Sequence, residues 1–165
     1  MRNIIIKNAK EIVTSTGFSK KAGEEMKNIG VIEDGSIIIT DGIIEKVGKT
    51  EEILKDFDTE GYEVVDASGK SVLPGFVDSH THFIFGGYRE EEFNLRLQGA
   101  TYMEMMKSGG GISGTVKATT DATKDELFEL GKKRLDSMME FGVTTVEGKS
   151  GHGLETDTEI KQLEV

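Results

Sequence analysis

The sequence contains no cysteine. Disulfides and thiolate metal sites are therefore excluded, and any bound metal must be held by His, Asp, Glu or water. Long apolar runs are missing too: stretches such as Ile4 to Ile6 and Ile37 to Ile39 fall far below the roughly 18 to 20 residues that cross a bilayer. No membrane span is expected. The opening Met1-Arg2-Asn3-Ile4-Ile5-Ile6-Lys7 carries one early positive charge but too little apolar sequence for a secretory signal, so a cytoplasmic location is expected. Cations are in deficit, with 20 Lys and Arg against 30 Asp and Glu and a formal net charge of −10. That balance opposes nucleic-acid phosphates and anionic lipid surfaces, so neither is an expected partner. A small anionic substrate meets the same field and needs a local cation to hold it, which draws attention to Arg89.

What is present fits a globular protein: 165 residues, 36% of them apolar, can bury a core of ordinary size. Residues 1–73 read as β-branched runs between turn signals, with candidate strands at 3–6, 36–40, 43–47 and 63–66. Asp41-Gly42 is a two-residue hairpin signal. A helix is expected at 50–57, and the polar stretch 15–28 reads as a surface loop. The single proline, in Pro74-Gly75, marks a change of composition and places a domain boundary between 1–73 and 74–165. Beyond it, helical and strand patterns alternate, as in βα units around a mostly parallel sheet or barrel.

In this second part, residues 76–79 predict a buried strand and 143–147 another. Thr101-Tyr102-Met103-Glu104 and Thr123-Lys124-Asp125-Glu126 are capping boxes, in which a Thr hydroxyl and a Glu carboxylate satisfy each other's free backbone donors at a helix start. The first opens a helix to about Ser108. The second opens a longer one, with Leu127, Leu130, Met138 and Phe141 at near-helical spacing and Gly142 as its stop. Another helix begins at Thr156. No internal repeat is found.

His80-Thr81-His82 follows the first of these strands, and a two-residue period points both imidazoles to one face. At the carboxyl end of a barrel strand they would lie where barrel active sites are built. Neutral imidazoles suit zinc or iron, with a third ligand and water completing an open site. A lone H-x-H is more often a surface or satisfied core pair, and its context decides. The run Gly69-Lys70-Ser71-Val72-Leu73-Pro74-Gly75-Phe76-Val77-Asp78-Ser79-His80-Thr81-His82 resembles the first-strand signature of the amidohydrolase superfamily. Asp41-Gly42-Ile43-Ile44-Glu45-Lys46-Val47-Gly48 resembles the hairpin of that superfamily's small β domain. Further on, Phe93-Asn94-Leu95-Arg96-Leu97-Gln98-Gly99, Tyr102, Gly109-Gly110-Gly111-Ile112 and Val143-Thr144-Thr145-Val146-Glu147-Gly148-Lys149-Ser150-Gly151 are similar to the imidazolonepropionase family within it.

The resemblance implies an α/β fold: the first strands of a (β/α)8 barrel, preceded by a small β-sandwich domain. It implies metal-dependent hydrolysis of the cyclic amide of 4-imidazolone-5-propanoate to N-formimidoyl-L-glutamate, in histidine degradation. His80 and His82 would be two ligands of one zinc or iron ion, and Arg89 would bind substrate. A planar guanidinium suits that role, because it grips a carboxylate with two parallel charge-assisted bonds. His152 stands where the family usually has a substrate-contacting tyrosine, so binding could weaken or become pH-dependent. Gly148 replaces a usual apolar residue and is expected to loosen its strand end.

The third histidine, the metal-binding aspartate and the general base would come from later strands. With three histidines and two barrel strands in 165 residues, this stretch is expected to be inactive and poorly folded by itself. At full length the resemblance would allow a homodimer. The alternatives are another deaminase or ring hydrolase of the superfamily, sharing only the histidine pair, and a non-catalytic remnant. Gly109-Gly110-Gly111-Ile112-Ser113-Gly114 satisfies G-x-G-x-x-G but follows a helix, so it reads as a mobile loop and not a dinucleotide site. Gly148-Lys149-Ser150-Gly151-His152 lacks the last glycine of a nucleophile elbow. Lys149 is expected to be structural or to support the residues that line the site.

Overall fold

Asp41 and Gly42 adopt φ of 52° and 82°, the positive values that let a two-residue turn follow the twist of its strands. They join β2 (Val31–Thr40) to β3 (Ile43–Lys49) in antiparallel register, with Thr40 opposite Ile43. The structure, a computed structural model, describes residues 2–15, 17, 19–107 and 109–165. It divides into two units, Met1–Pro74 and Gly75–Val165, and is mixed α/β.

In the first unit β1 (Ile4–Val13) is the central strand, antiparallel to β2 and parallel to both β4 (Glu63–Asp66) and β5 (Ser71–Val72). The order is β3-β2-β1-β4, with β5 also on β1. An extra residue between Ile6 and Ala9 shifts the register, and Asn8 takes the turn at φ 60°, a conformation its short polar side chain tolerates. Ala9, Ile12, Ile37 and Ala67 form a buried cluster, and Ile5 and Ile38 are buried as well. Each such isoleucine contributes about 1.5–3 kcal/mol through burial, so these side chains hold the sheet together.

Strands β1 and β2 run further than their apolar residues predict. Lys10, Glu11, Glu33 and Asp34 interrupt the pattern, yet the backbone ladder continues through Glu11 opposite Glu33, because pairing outweighs weak β-propensity. The expected 50–57 helix is only α1, Thr50–Ile53. A 3-10 turn at Gly23–Lys27 lies in the stretch read as a loop, of which Thr16 and Phe18 lie outside the described residues.

In the second unit β6 (Phe76–Thr81) and β7 (Val143–Gly148) form a two-stranded parallel sheet. A Cβ on Gly75 would collide with the Thr144 side chain, so glycine is what lets the two strand starts come together. The expectation of a buried β6 is corrected: Phe76 is 53% and Val77 69% exposed. Among the described residues β7 is its one neighbour in this sheet, and no layer covers those side chains.

The helices are α2 (Glu90–Leu97), α3 (Tyr102–Lys107), α4 (Ile112–Asp121), α5 (Lys124–Glu140) and α6 (Thr156–Glu164). Both capping boxes form: Glu104 N donates to Thr101 Oγ1 at 3.3 Å and Thr101 N to Glu104 Oε2 at 2.8 Å, and Thr123 with Glu126 repeats the pattern. Hydrogen bonds from the two threonines hold both carboxyls below the ordinary carboxylate range. The expected end of the first helix at Ser108 lies outside the described residues. Leu127 is fully buried, whereas Phe141, read as part of the same stripe, is the C-cap and 80% exposed. Gly142 ends the helix at φ 86°. The glycine-rich run is corrected in part: Gly109 and Gly111 turn at φ 85° and 77°, but from Ile112 onward the chain is helical. Among the described residues no helix is long and apolar enough to cross a membrane.

Candidate functional site

Strand β6 ends at Thr81, so His80 is its penultimate residue and His82 the first beyond it. Their ring centroids lie 5.5 Å apart, at 68°. His80 is exposed and His82 half-buried. The Nδ1 of His82 is buried with no hydrogen-bond partner among the described residues, which leaves a ring nitrogen uncommitted. Gly151 approaches that ring so closely that a Cβ there would lie 2.8 Å from His82 Cε1.

The segment after the histidines, residues 83–88, has no regular structure and is held by side chains from three helices. Arg134 of α5 donates through Nη1 to the carbonyls of Phe83 (3.0 Å) and Phe85 (2.8 Å). Gln162 of α6 donates to Ile84 O at 2.6 Å, and Gly86 N donates to Thr119 Oγ1 of α4 at 3.0 Å. The Arg134 guanidinium also lies 3.7 Å from the Phe85 ring centroid and 4.8 Å from that of Tyr88. A Cβ on Gly86 would strike the Ala118 carbonyl. A loop that would otherwise leave buried backbone groups unpaired is thereby fixed between His82 and Arg89.

His152 joins the histidine pair. Its ring lies 5.3 Å from His82, edge to face, and stacks on Phe85 at 4.9 Å and 25°. Its Nδ1 is 3.3 Å from Thr115 Oγ1, whose own hydrogen is given to Ile112 O. With that hydrogen committed, Nδ1 must be the donor, and Nε2 is left as an acceptor. Burial lowers the His152 pKa, the His82, Arg134 and Arg89 charges act in the same direction, and Glu159 opposes them. Together these effects favour the neutral ring. Its loop is shaped by Glu159, which accepts from the Gly153 and Leu154 N–H groups, both at 2.8 Å.

Arg89 stands at the N-cap position of α2, and its side chain donates through Nε (2.9 Å) and Nη2 (2.5 Å) to the two oxygens of Glu92. That bond raises the Arg89 pKa and lowers that of Glu92. Lys149 pairs with Glu147, and its N–H donates to Thr81 O at 2.8 Å, tying β7 to β6. At Gly148 a Cβ would lie 2.6 Å from Phe83 Cε1, so the missing side chain is the space that ring fills.

Thus His82 lies in ring contact with both His80 and His152. Sequence reasoning missed Phe85, Glu92, Thr115, Arg134 and Glu159. Arg134 gave no signal, since Lys132-Lys133-Arg134 on a helix reads as a solvated face. Two adjacent imidazoles with an unpartnered buried nitrogen suit a zinc or iron ion. They supply part of a donor set, for among the described residues no three His, Asp or Glu side chains gather to hold one.

Residues 63–134 match the amidohydrolase family. The imidazolonepropionase of Clostridium tetani is 59% identical over 163 residues, covering 99% of this chain and 39% of that protein. That of Parabacteroides distasonis is 54% identical over 162 residues, covering 98% and 39%. The chain therefore spans about two fifths of the length of these curated relatives. Among solved structures, E. coli guanine deaminase superposes with a TM-score of 0.63 at 20% identity, over 99% of this chain and 32% of that one. The triazine hydrolase of Arthobacter aurescens gives 0.57 at 19%, over 99% and 33%. These two likenesses concern the fold. The sequence matches are of another order: the chain is similar to the amidohydrolase family over residues 63–134 and to imidazolonepropionases along nearly its whole length.

Proposed function

We propose that the gene product at its natural length is a cytoplasmic imidazolonepropionase, which hydrolyses the ring amide of 4-imidazolone-5-propanoate to N-formimidoyl-L-glutamate. The observation that carries the reading is the adjacency of two imidazoles, one with an unpartnered buried nitrogen, joined by a strapped segment to a guanidinium. In this reading residues 1–73 belong to a small β-sandwich domain and residues 74–165 are the first βα units of a (β/α)8 barrel. The remaining metal ligands and the general base are then supplied from outside this stretch, the relatives being longer than this chain.

His80 and His82 would hold one zinc or iron ion. When bound, such an ion supplies Lewis acidity, which acidifies water and polarises a ring carbonyl. Arg89 takes the propanoate group by parallel charge-assisted bonds. His152, neutral and with Nε2 as acceptor, takes a hydrogen bond from a ring N–H, where a tyrosine hydroxyl could also donate.

The test is steady-state kinetics of Arg89→Met in the natural-length protein. Losing a charged hydrogen-bonding partner costs roughly 1.5–3 kcal/mol of binding, or about 10- to 100-fold. KM for 4-imidazolone-5-propanoate should rise by that factor while kcat changes much less. An unchanged KM would remove Arg89 from the substrate site.

A further inference from the structure

The Glu92 carboxylate is more committed than an ordinary surface ion pair. Its Oε1 accepts from Arg89 Nε at 2.9 Å and from Gly111 N at 2.7 Å, and its Oε2 accepts from Arg89 Nη2 at 2.5 Å. The Glu92 side chain is only 14% exposed, against 45% for Arg89. Gly110 completes the seat: a Cβ there would lie 3.0 Å from Glu92 Oε1 and 2.9 Å from Met105 O. The two residues also line two cavities, one of about 260 Å³ shared with Tyr102 and Arg96, the other of about 390 Å³ shared with Gly109 and Gly110.

This arrangement uses one edge of the guanidinium. Arg89 Nε and Nη2 face Glu92, and a guanidinium has a second forked edge, Nη1 with Nη2, that can grip another carboxylate. A free arginine side chain has many rotamers, and ordering it on binding costs affinity. Resting on the reading of Arg89 given above, we infer that Glu92 is a positioning residue for acid recognition: anchored by the Gly111 N–H, it presents the open edge of Arg89 to the substrate's carboxylate. The glycine-rich loop then belongs to the recognition apparatus, because its backbone fixes the residue that fixes the arginine.

Glu92 also adds a negative charge near the incoming anion, which opposes binding. That repulsion is screened at a site with a half-exposed arginine, whereas orientation of the fork is lost outright if the pair is broken. The balance favours positioning, and the sign of one measurement decides it.

The probes are 3-(imidazol-4-yl)propanoate and its neutral primary amide, titrated calorimetrically into the natural-length, metal-loaded protein. The wild type should prefer the acid, and Arg89→Met should abolish that preference; if it does not, the Arg89 reading itself fails. With that arm as expected, Glu92→Gln should weaken acid binding by about 10-fold, the scale of one charge-assisted bond, and leave amide binding unchanged. The Gly111 amide resonance should shift in the same variant. Acid binding that is unchanged or tighter in Glu92→Gln overturns the inference. Should that variant fail to fold, Gly110→Ala, which presses on Oε1 while keeping the charge, must reduce acid binding selectively, and equal loss for acid and amide also overturns it.

Discussion

Exchanging His80 and His82 together for alanine should strip the natural-length protein of its metal and cut turnover by at least about 10³-fold, since loss of Lewis-acid activation removes several kcal/mol of transition-state stabilisation. The fold should survive. The described hydrogen bond at His80 is made by its backbone N–H, to Asp78 Oδ1 at 3.1 Å, and His82 Nδ1 has no partner to lose. What the pair loses is a ring contact with each other and one between His82 and His152. Metal content, turnover and circular dichroism measured on the same sample therefore separate the readings. Retention of metal and turnover would show that these imidazoles are not ligands, whereas loss of activity together with loss of structure would mean that they hold the fold.

Replacing Arg134 by methionine should be the most damaging change outside the histidines. It removes two bonds from a charged donor to the Phe83 and Phe85 carbonyls and a guanidinium lying 3.7 Å from the Phe85 ring centroid. Summed conservatively, these contribute about 3 kcal/mol. Because the chain has two units, one unfolding midpoint would blur the effect. Hydrogen exchange at the Gly86 amide, which Thr119 holds in the middle of the strapped segment, isolates it and should accelerate by about 100-fold. Arg134→Lys should recover only part of this, for an ammonium can donate to both carbonyls as Nη1 does but lacks the planar group that stacks on the Phe85 ring. Unaltered exchange at Gly86 would mean that Gln162 and Thr119 suffice to hold the segment.

Much of the framework could be read from the residues. The Asp41-Gly42 turn, both threonine–glutamate boxes and the Gly142 stop are local devices, and each forms where its side-chain chemistry requires. The histidine pair was legible because one-residue spacing at a strand end keeps the two rings near each other, although His82 stands just past the last strand residue. What sequence could not supply depends on long-range partners. Arg134 reaches Phe83 across 51 residues and Gln162 reaches Ile84 across 78, separations with no periodic signature. Strand lengths were underestimated because ladder bonds form regardless of side-chain polarity at Glu11 and Glu33. Burial of β6 was overestimated because apolar sequence specifies a preference for a partner layer and does not provide one.

The proposed metal-assisted hydrolysis is tested most directly by incubating the natural-length protein with 4-imidazolone-5-propanoate before and after chelation. N-formimidoyl-L-glutamate should accumulate with the metal-loaded protein, stop when the ion is removed and resume when zinc or iron is restored. Absence of that product, or its undiminished formation after the metal has gone, would contradict the account.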